Sequence, residues 1–149
     1  MAITQAICNS FKKEVLFGAH DFDASSGDTF KLALFTSDAS LSSTTTAFSS
    51  SNESSGTNYS SGGSSLTSID PALSSTTAVC DFANLTFSNV SVTARGALIY
   101  NSTPNTTSIS LTNPAVCVLD FGGDITASAG DFLITFPAAG ASTAIIRLA

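Results

Sequence analysis

The chain has no tryptophan, one histidine, five cations and no long apolar run, and each shortage removes a class of function. Three Lys and two Arg stand against eleven carboxylates, a net charge of −6. Nucleic-acid binding draws its affinity from clustered cations, so that charge balance argues against nucleic acid as a partner. No stretch approaches the roughly 18 consecutive apolar residues of a membrane span, so a membrane is not expected as a partner either. The amino terminus lacks a basic region leading into an apolar core and cleavage site, and the chain is expected to be made and kept in a cytosol. His20 is the only imidazole, and no Ser stands in a Gly-x-Ser-x-Gly elbow to receive it as a base. Gly62-Gly63 and Gly122-Gly123 lack the lysine or the spacing of phosphate-binding loops. Cys8, Cys80 and Cys117 form no Cys-x-x-Cys pair and cannot complete a four-ligand zinc site with one His. The expectation is a chain without catalytic, cofactor-binding or metal-ligating residues, and hence not an enzyme.

Hydroxyl residues are abundant: Ser and Thr fill 45 of 149 positions. Polar surface built from hydroxyls and amides rather than ions suits packing against other protein. Six of the eight Asn begin Asn-x-Ser/Thr triplets. Glycosylation is not the reading, because no secretory signal accompanies them and Asn84 falls inside or beside strands. Cys80 and Cys117 sit in the similar phrases AVCDF and AVCVLDF. A cross-strand pair between them is conceivable, but a reducing cytosol favours free buried thiols.

The longest sheet-like run is residues 81–102. Leu85 and Phe87 alternate with Thr86 and Ser88, then Val90, Val92 and Ala94 alternate with Ser91, Thr93 and Arg95, the period of two that a half-buried strand requires. The phase slips at Asn89, where a bulge or short turn must absorb one residue; a bend is the reading favoured. Further strands are predicted over 29–36 and 77–82, in AVCVLDF at 115–121, in DFLITF at 131–136 and over 143–148. Turns are expected at Asp70-Pro71 and at Gly122-Gly123-Asp124.

Ile3, Ile7, Phe11 and Val15 recur at steps of four, which predicts an amphipathic helix over about 3–17 that Gly18 ends in a left-handed conformation. Its stripe either covers one face of the sheet or docks on a neighbouring subunit. His20 lies beside Asp21 and Asp23, but adjacent side chains point apart and no further ligand is near in sequence. Residues 37–68 are built almost entirely from Ser, Thr, Gly and Asn, punctuated by Leu41, Phe48, Tyr59 and Leu66. Such a segment is either a loose surface loop or an extended arm that adds to another subunit's sheet edge, with Phe48 and Tyr59 as anchors. The fold class expected is mainly β: one domain over 1–149, a β-sandwich or rolled antiparallel sheet with its body at 28–36 and 77–149, one N-terminal amphipathic helix, and a Ser/Thr/Gly-rich arm.

Five phrases taken in order carry a resemblance: TQAICNSFKKEVLFGAHDF, DTFKLALFTSDASL, NESSGTNYSSGGSSLT, VTARGALIYNS and VLDFGGDITASAGDFLITFPAAGASTAIIRLA. Together they resemble a family of small virion proteins of tailed bacteriophages, over nearly the whole chain. The resemblance implies a non-catalytic particle component, with no functional residues to carry over. Within that class the expectation is a capsid decoration, or cement, protein on the outside of the head, with the major capsid protein and copies of itself as partners, a trimer by analogy. A tail component, tube-forming or receptor-binding, is the alternative. The expected interface residues are Ile3, Ile7, Phe11, Val15, Phe48 and Tyr59. On the arm mechanism, deleting residues 44–66 would leave a folded body unable to bind heads.

Overall fold

A computed structural model describes residues 2–149. The chain is mainly β, with strands β1 (Ala6–Ile7), β2 (Phe30–Phe35), β3 (Ser64–Ser65), β4 (Ser68–Ser74), β5 (Thr77–Phe82), β6 (Leu85–Asn101), β7 (Ala115–Ile134) and β8 (Ile146–Leu148), and one helix, α1 (Asn9–Leu16). They form two antiparallel sheets, ordered β1-β7-β6-β2-β3 and β4-β5-β8. The backbone of the larger sheet is the β6–β7 hairpin, paired from Tyr100↔Ala115 to Leu85↔Ile134. β2 lies on its other side, from Phe30↔Asn101 to Phe35↔Gly96.

The phase slip at Asn89 is a bulge inside one unbroken strand, not a bend that ends it. Asn89 takes φ 53°, and the register shifts between Phe87 and Val90. An extra residue in the left-handed region lets apolar side chains on both sides of the slip face the same core. Gly122-Gly123-Asp124 likewise does not turn the chain. Gly122, at φ 77°, sits in a wide bulge where one residue, Arg95, opposes the β7 segment between Asp120 and Ile125. The two strands predicted on either side of this point are one 20-residue strand. Asp70-Pro71 lies within β4, where the register shifts between Ile69 and Ala72; Pro, which has no N–H to give, is tolerated on this edge strand.

The helix begins later than the periodicity predicts. Ile3 forms an isolated parallel bridge with Leu41, and Ile7 lies in β1 opposite Cys117. Steps of four therefore do not mark one helix here, because backbone pairing with β7 and with residue 41 satisfies the first residues instead. The stop is as predicted: Gly18 adopts φ 68°, and its N–H and that of Ala19 bond back to Val15 and Glu14.

Residues 37–63 are the largest departure from an arm. After β2 ends, the chain folds back along the free edges of its own larger sheet. Ser54 N–H bonds Leu34 C=O, Leu66 N–H bonds Phe30 C=O and Thr36 N–H bonds Asn52 C=O. Beyond the end of β2 the same segment continues beside β6, where Ser91 N–H bonds Thr57 C=O and Ser54 Oγ donates to Thr93 C=O. Its first part pairs with residues 113–115, through Phe48 N–H to Asn113 C=O and Ala115 N–H to Thr46 C=O. Small hydroxyl residues and glycines permit this close approach: a Cβ at Gly56 would overlap the Ser91 carbonyl, and one at Gly63 the Leu32 carbonyl. The hydroxyl-rich segment is thus an edge of the sheet, and it shields the edge from other chains.

The core is one cluster that includes Phe30, Leu32, Leu34, Leu98, Ile99, Val116 and Val118. Phe82, Phe136 and Ile146 tie the smaller sheet into it, with Phe82 5.7 Å from Phe30 and 5.8 Å from Phe136 between ring centroids.

Candidate interaction surface

The most polar interior site surrounds His20. Its side chain is fully buried, with Nε2 2.8 Å from Glu14 Oε2, on α1 and almost as deeply buried. The Asn101 amide, at the end of β6, donates to His20 Nδ1 at 3.1 Å and to Asp28 Oδ2 at 2.8 Å, and Asn101 Oδ1 accepts from Thr103 N–H. Since an amide nitrogen can only donate, Nδ1 is the acceptor and Nε2 carries the hydrogen given to Glu14. Both ring nitrogens are thereby occupied. The Asp21 side chain takes no part, its Oδ1 accepting from Asp23 N–H, although the Asp21 N–H donates to Asp28 Oδ2. The sequence neighbours of His20 were the wrong place to look for its partners, which come from 6 and 81 residues away. The arrangement fastens α1 to the end of β6, and it presents no free base to a nucleophile.

A second knot organises the hydroxyl-rich edge. Glu53 accepts from Tyr59 O–H, Ser61 Oγ and Gly62 N–H at 2.7 to 2.9 Å, while Tyr59 Oη accepts from Leu34 N–H. Burial, above all, pushes the Tyr59 phenol well above its ordinary range. The three cysteines are unpaired and lie in different strands or at the N-cap of α1, so the Cys80–Cys117 pairing does not occur. Burial raises all three thiols, Cys8 to about 11. Among the described residues, no three His, Cys, Asp or Glu side chains gather in a way that could hold a metal ion.

The six expected interface residues face the chain's own interior. Ile3 and Phe11 belong to the core, and Ile7, Val15, Phe48 and Tyr59 pack against it half-buried. Phe48 stacks on Tyr100 at 4.6 Å, and Tyr59 leans on Phe87 at 5.5 Å. Widely spaced aromatics in a polar segment find partners within the chain because the segment folds back along the sheet.

The exposed apolar residues lie elsewhere. At the end of α1, Leu16 is 89% and Phe17 47% exposed, next to Lys12 and Lys13. Along the outer half of β7, Leu133 is 59% and Ile125 46% exposed. They border a groove of about 450 Å³ that Leu119, Phe121, Phe132 and Phe136 help to line. Its mouth carries Asp120, whose Oδ1 is 3.8 Å from Arg95 Nε; Arg95 Nη1 is in turn 3.8 Å from Asp124 Oδ1. β1 pairs with β7 at Cys117 and Val118, and just beyond them Gln5 Oε1 accepts from Asp120 N–H at one end of the groove. Ile69 and Leu73 are exposed on β4, the edge of the smaller sheet.

No family model, curated protein or solved structure matches the chain. No helix among the described residues is long and apolar enough to cross a membrane.

The sequence carried two unused signals for this surface. Leu16 and Phe17 follow Val15 directly and so fall off the stripe that Phe11 and Val15 define, which places them on a face the core cannot reach. Leu133 was marked too, because it alternates with Phe132, Ile134 and Phe136, which take the buried face in a stretch that pairs regularly with β6; nothing local marked Ile125, which follows the bulge at Gly122.

Proposed function

We propose that this chain is a non-catalytic structural protein of a tailed-bacteriophage virion, made in the host cytoplasm, and that it acts as a capsid decoration protein on the outside of the head. The observation that carries the reading is the apolar groove along β7, set on the long β6–β7 hairpin in a chain with few charges. Solvent-exposed apolar surface rimmed by polar residues suits protein–protein contact. The sequence resemblance supplies the particle. The contact mechanism differs from an extended arm: the 37–63 segment is taken up by its own sheet, so the groove and the α1 end are the surfaces offered to the major capsid protein and to other copies. Such a body would bridge adjacent capsomers without unfolding any part of itself.

The test is to add purified protein to heads that lack it and to locate it by particle reconstruction. Density over capsomer boundaries, lost with Leu133→Asp, supports the reading. Density on the tail assigns the chain to the alternative role of tail component, and the absence of the chain from particles of either kind refutes both.

A further inference from the structure

A chain with net charge −6 repels its own copies unless the surfaces that meet are complementary. Of its five cations, two are adjacent, Lys12 and Lys13, and they stand beside the exposed Leu16–Phe17 pair. This is the apolar protrusion with a local positive charge. The groove on β7 is its counterpart: concave, lined by Leu119, Phe121, Ile125 and Leu133, and bordered by Asp120 with Asp124 close by. Arg95 bridges those two carboxylates and leaves one net negative charge. Leu16, at 89% exposed, does not enter the groove of its own chain. Leu73 sits on β4, a strand edge of the smaller sheet, and lines none of the better-formed grooves, so it is a poorer seat for a protruding helix end.

We infer that the groove takes a second copy of this chain, through the end of its α1: Leu16 and Phe17 enter the apolar floor while Lys12 and Lys13 approach Asp120 and Asp124. The inference rests on the assembly reading above and gives that surface its partner. The contact is heterologous, because the helix end of one copy meets the groove of the next, and contacts of this kind build rings when the rotation closes. The glycine stop at Gly18 and the Glu14–His20–Asn101 bonds hold the protruding turn rigidly to the body, which limits the ordering cost of association.

The experiment uses the full chain without heads, by analytical ultracentrifugation and native mass spectrometry. Wild type is expected to associate with rising concentration. Leu16→Asp, which spoils the helix end, and Leu133→Asp, which spoils the groove, are each expected to be monomeric with unchanged circular dichroism. Mixed together they are expected to form a one-to-one dimer and nothing larger, because each supplies the half the other lacks. Lys12→Gln with Lys13→Gln weakens the contact several-fold and reduces its sensitivity to salt. A wild type that stays monomeric to about 1 mM overturns the inference. So does association that survives both single variants, and so does a mixture that yields no dimer, which would indicate a like-with-like interface. Head binding is read separately on particles, so a chain that decorates heads as a monomer refutes this contact and leaves the decoration role standing.

Discussion

Replacing Asn101 by Ala removes three hydrogen bonds at one buried point. His20 Nδ1, inside the core, loses its only donor and has no route to water, which carries the full cost of an unsatisfied buried group, about 1–3 kcal/mol. Asp28 keeps a second donor, Asp21 N–H at 2.8 Å, and Thr103 lies at an exposed turn where water can replace the lost acceptor. Their combined cost is nearer to about 1 kcal/mol, for a total of about 2–4 kcal/mol. Urea unfolding followed by far-ultraviolet circular dichroism reads this directly. At about 2 kcal/mol per M the midpoint should fall by roughly 1–2 M. Asn105→Ala is the exposed control: its amide lies 3.4 Å from Gly18 C=O and its Oδ1 accepts from Thr107 N–H, but water can replace both partners, so the loss should cost no more than about 1 kcal/mol. If Asn101→Ala shifts the midpoint no more than the control does, the His20 network does not hold α1 to β6 and the bond assignment fails.

Tyr59→Phe keeps the contact with Phe87 but strips Leu34 N–H and Glu53 of a partner, so urea titration should show a loss of about 1–3 kcal/mol. Gly63→Ala forces a Cβ onto the Leu32 carbonyl at φ 72°, and thermal melting should fall by more than for Gly123→Ala, where a Cβ meets nothing. Deleting residues 44–66 removes the segment that caps β2 and β6, so the shortened chain should fail to give a cooperative melt; a folded body would restore the free-arm reading. Alkylation at pH 8 should label half-buried Cys80 before the buried Cys8 and Cys117, and mass spectrometry after short exposure identifies the site. Because folding raises the Cys8 thiol from 9.0 to about 11, its contribution to stability is whole below pH 9 and falls away as the pH rises towards 11, a slope that Cys8→Ala should lessen.

Period-two alternation in 85–94, the apolar runs at 30–35 and 115–118 and the left-handed Gly18 stop are local properties of the sequence, and they were enough to give the mainly-β class, the central strands and the end of the helix. Alternation reports which face of a strand is buried, whatever lies across from it. It does not report what the strand pairs with, and that is where the reading departed from the fold. Ile3 and Ile7 kept helical spacing yet pair with Leu41 and Cys117, because sheet edges offered their backbone bonds that a longer helix would have had to forgo. Gly122-Gly123 had turn composition yet became a bulge, since the β6 ladder holds β7 on both sides of it. The 37–63 segment had the composition of a loose arm and became a sheet edge, because its Ser and Gly residues are small enough to lie against β2 and β6. Exposure of Leu16 and Phe17 followed from the stripe they break. The groove on β7 gathers Gln5, Leu119, Phe132 and Ile145 from distant parts of the chain, which only long-range pairing and packing bring together.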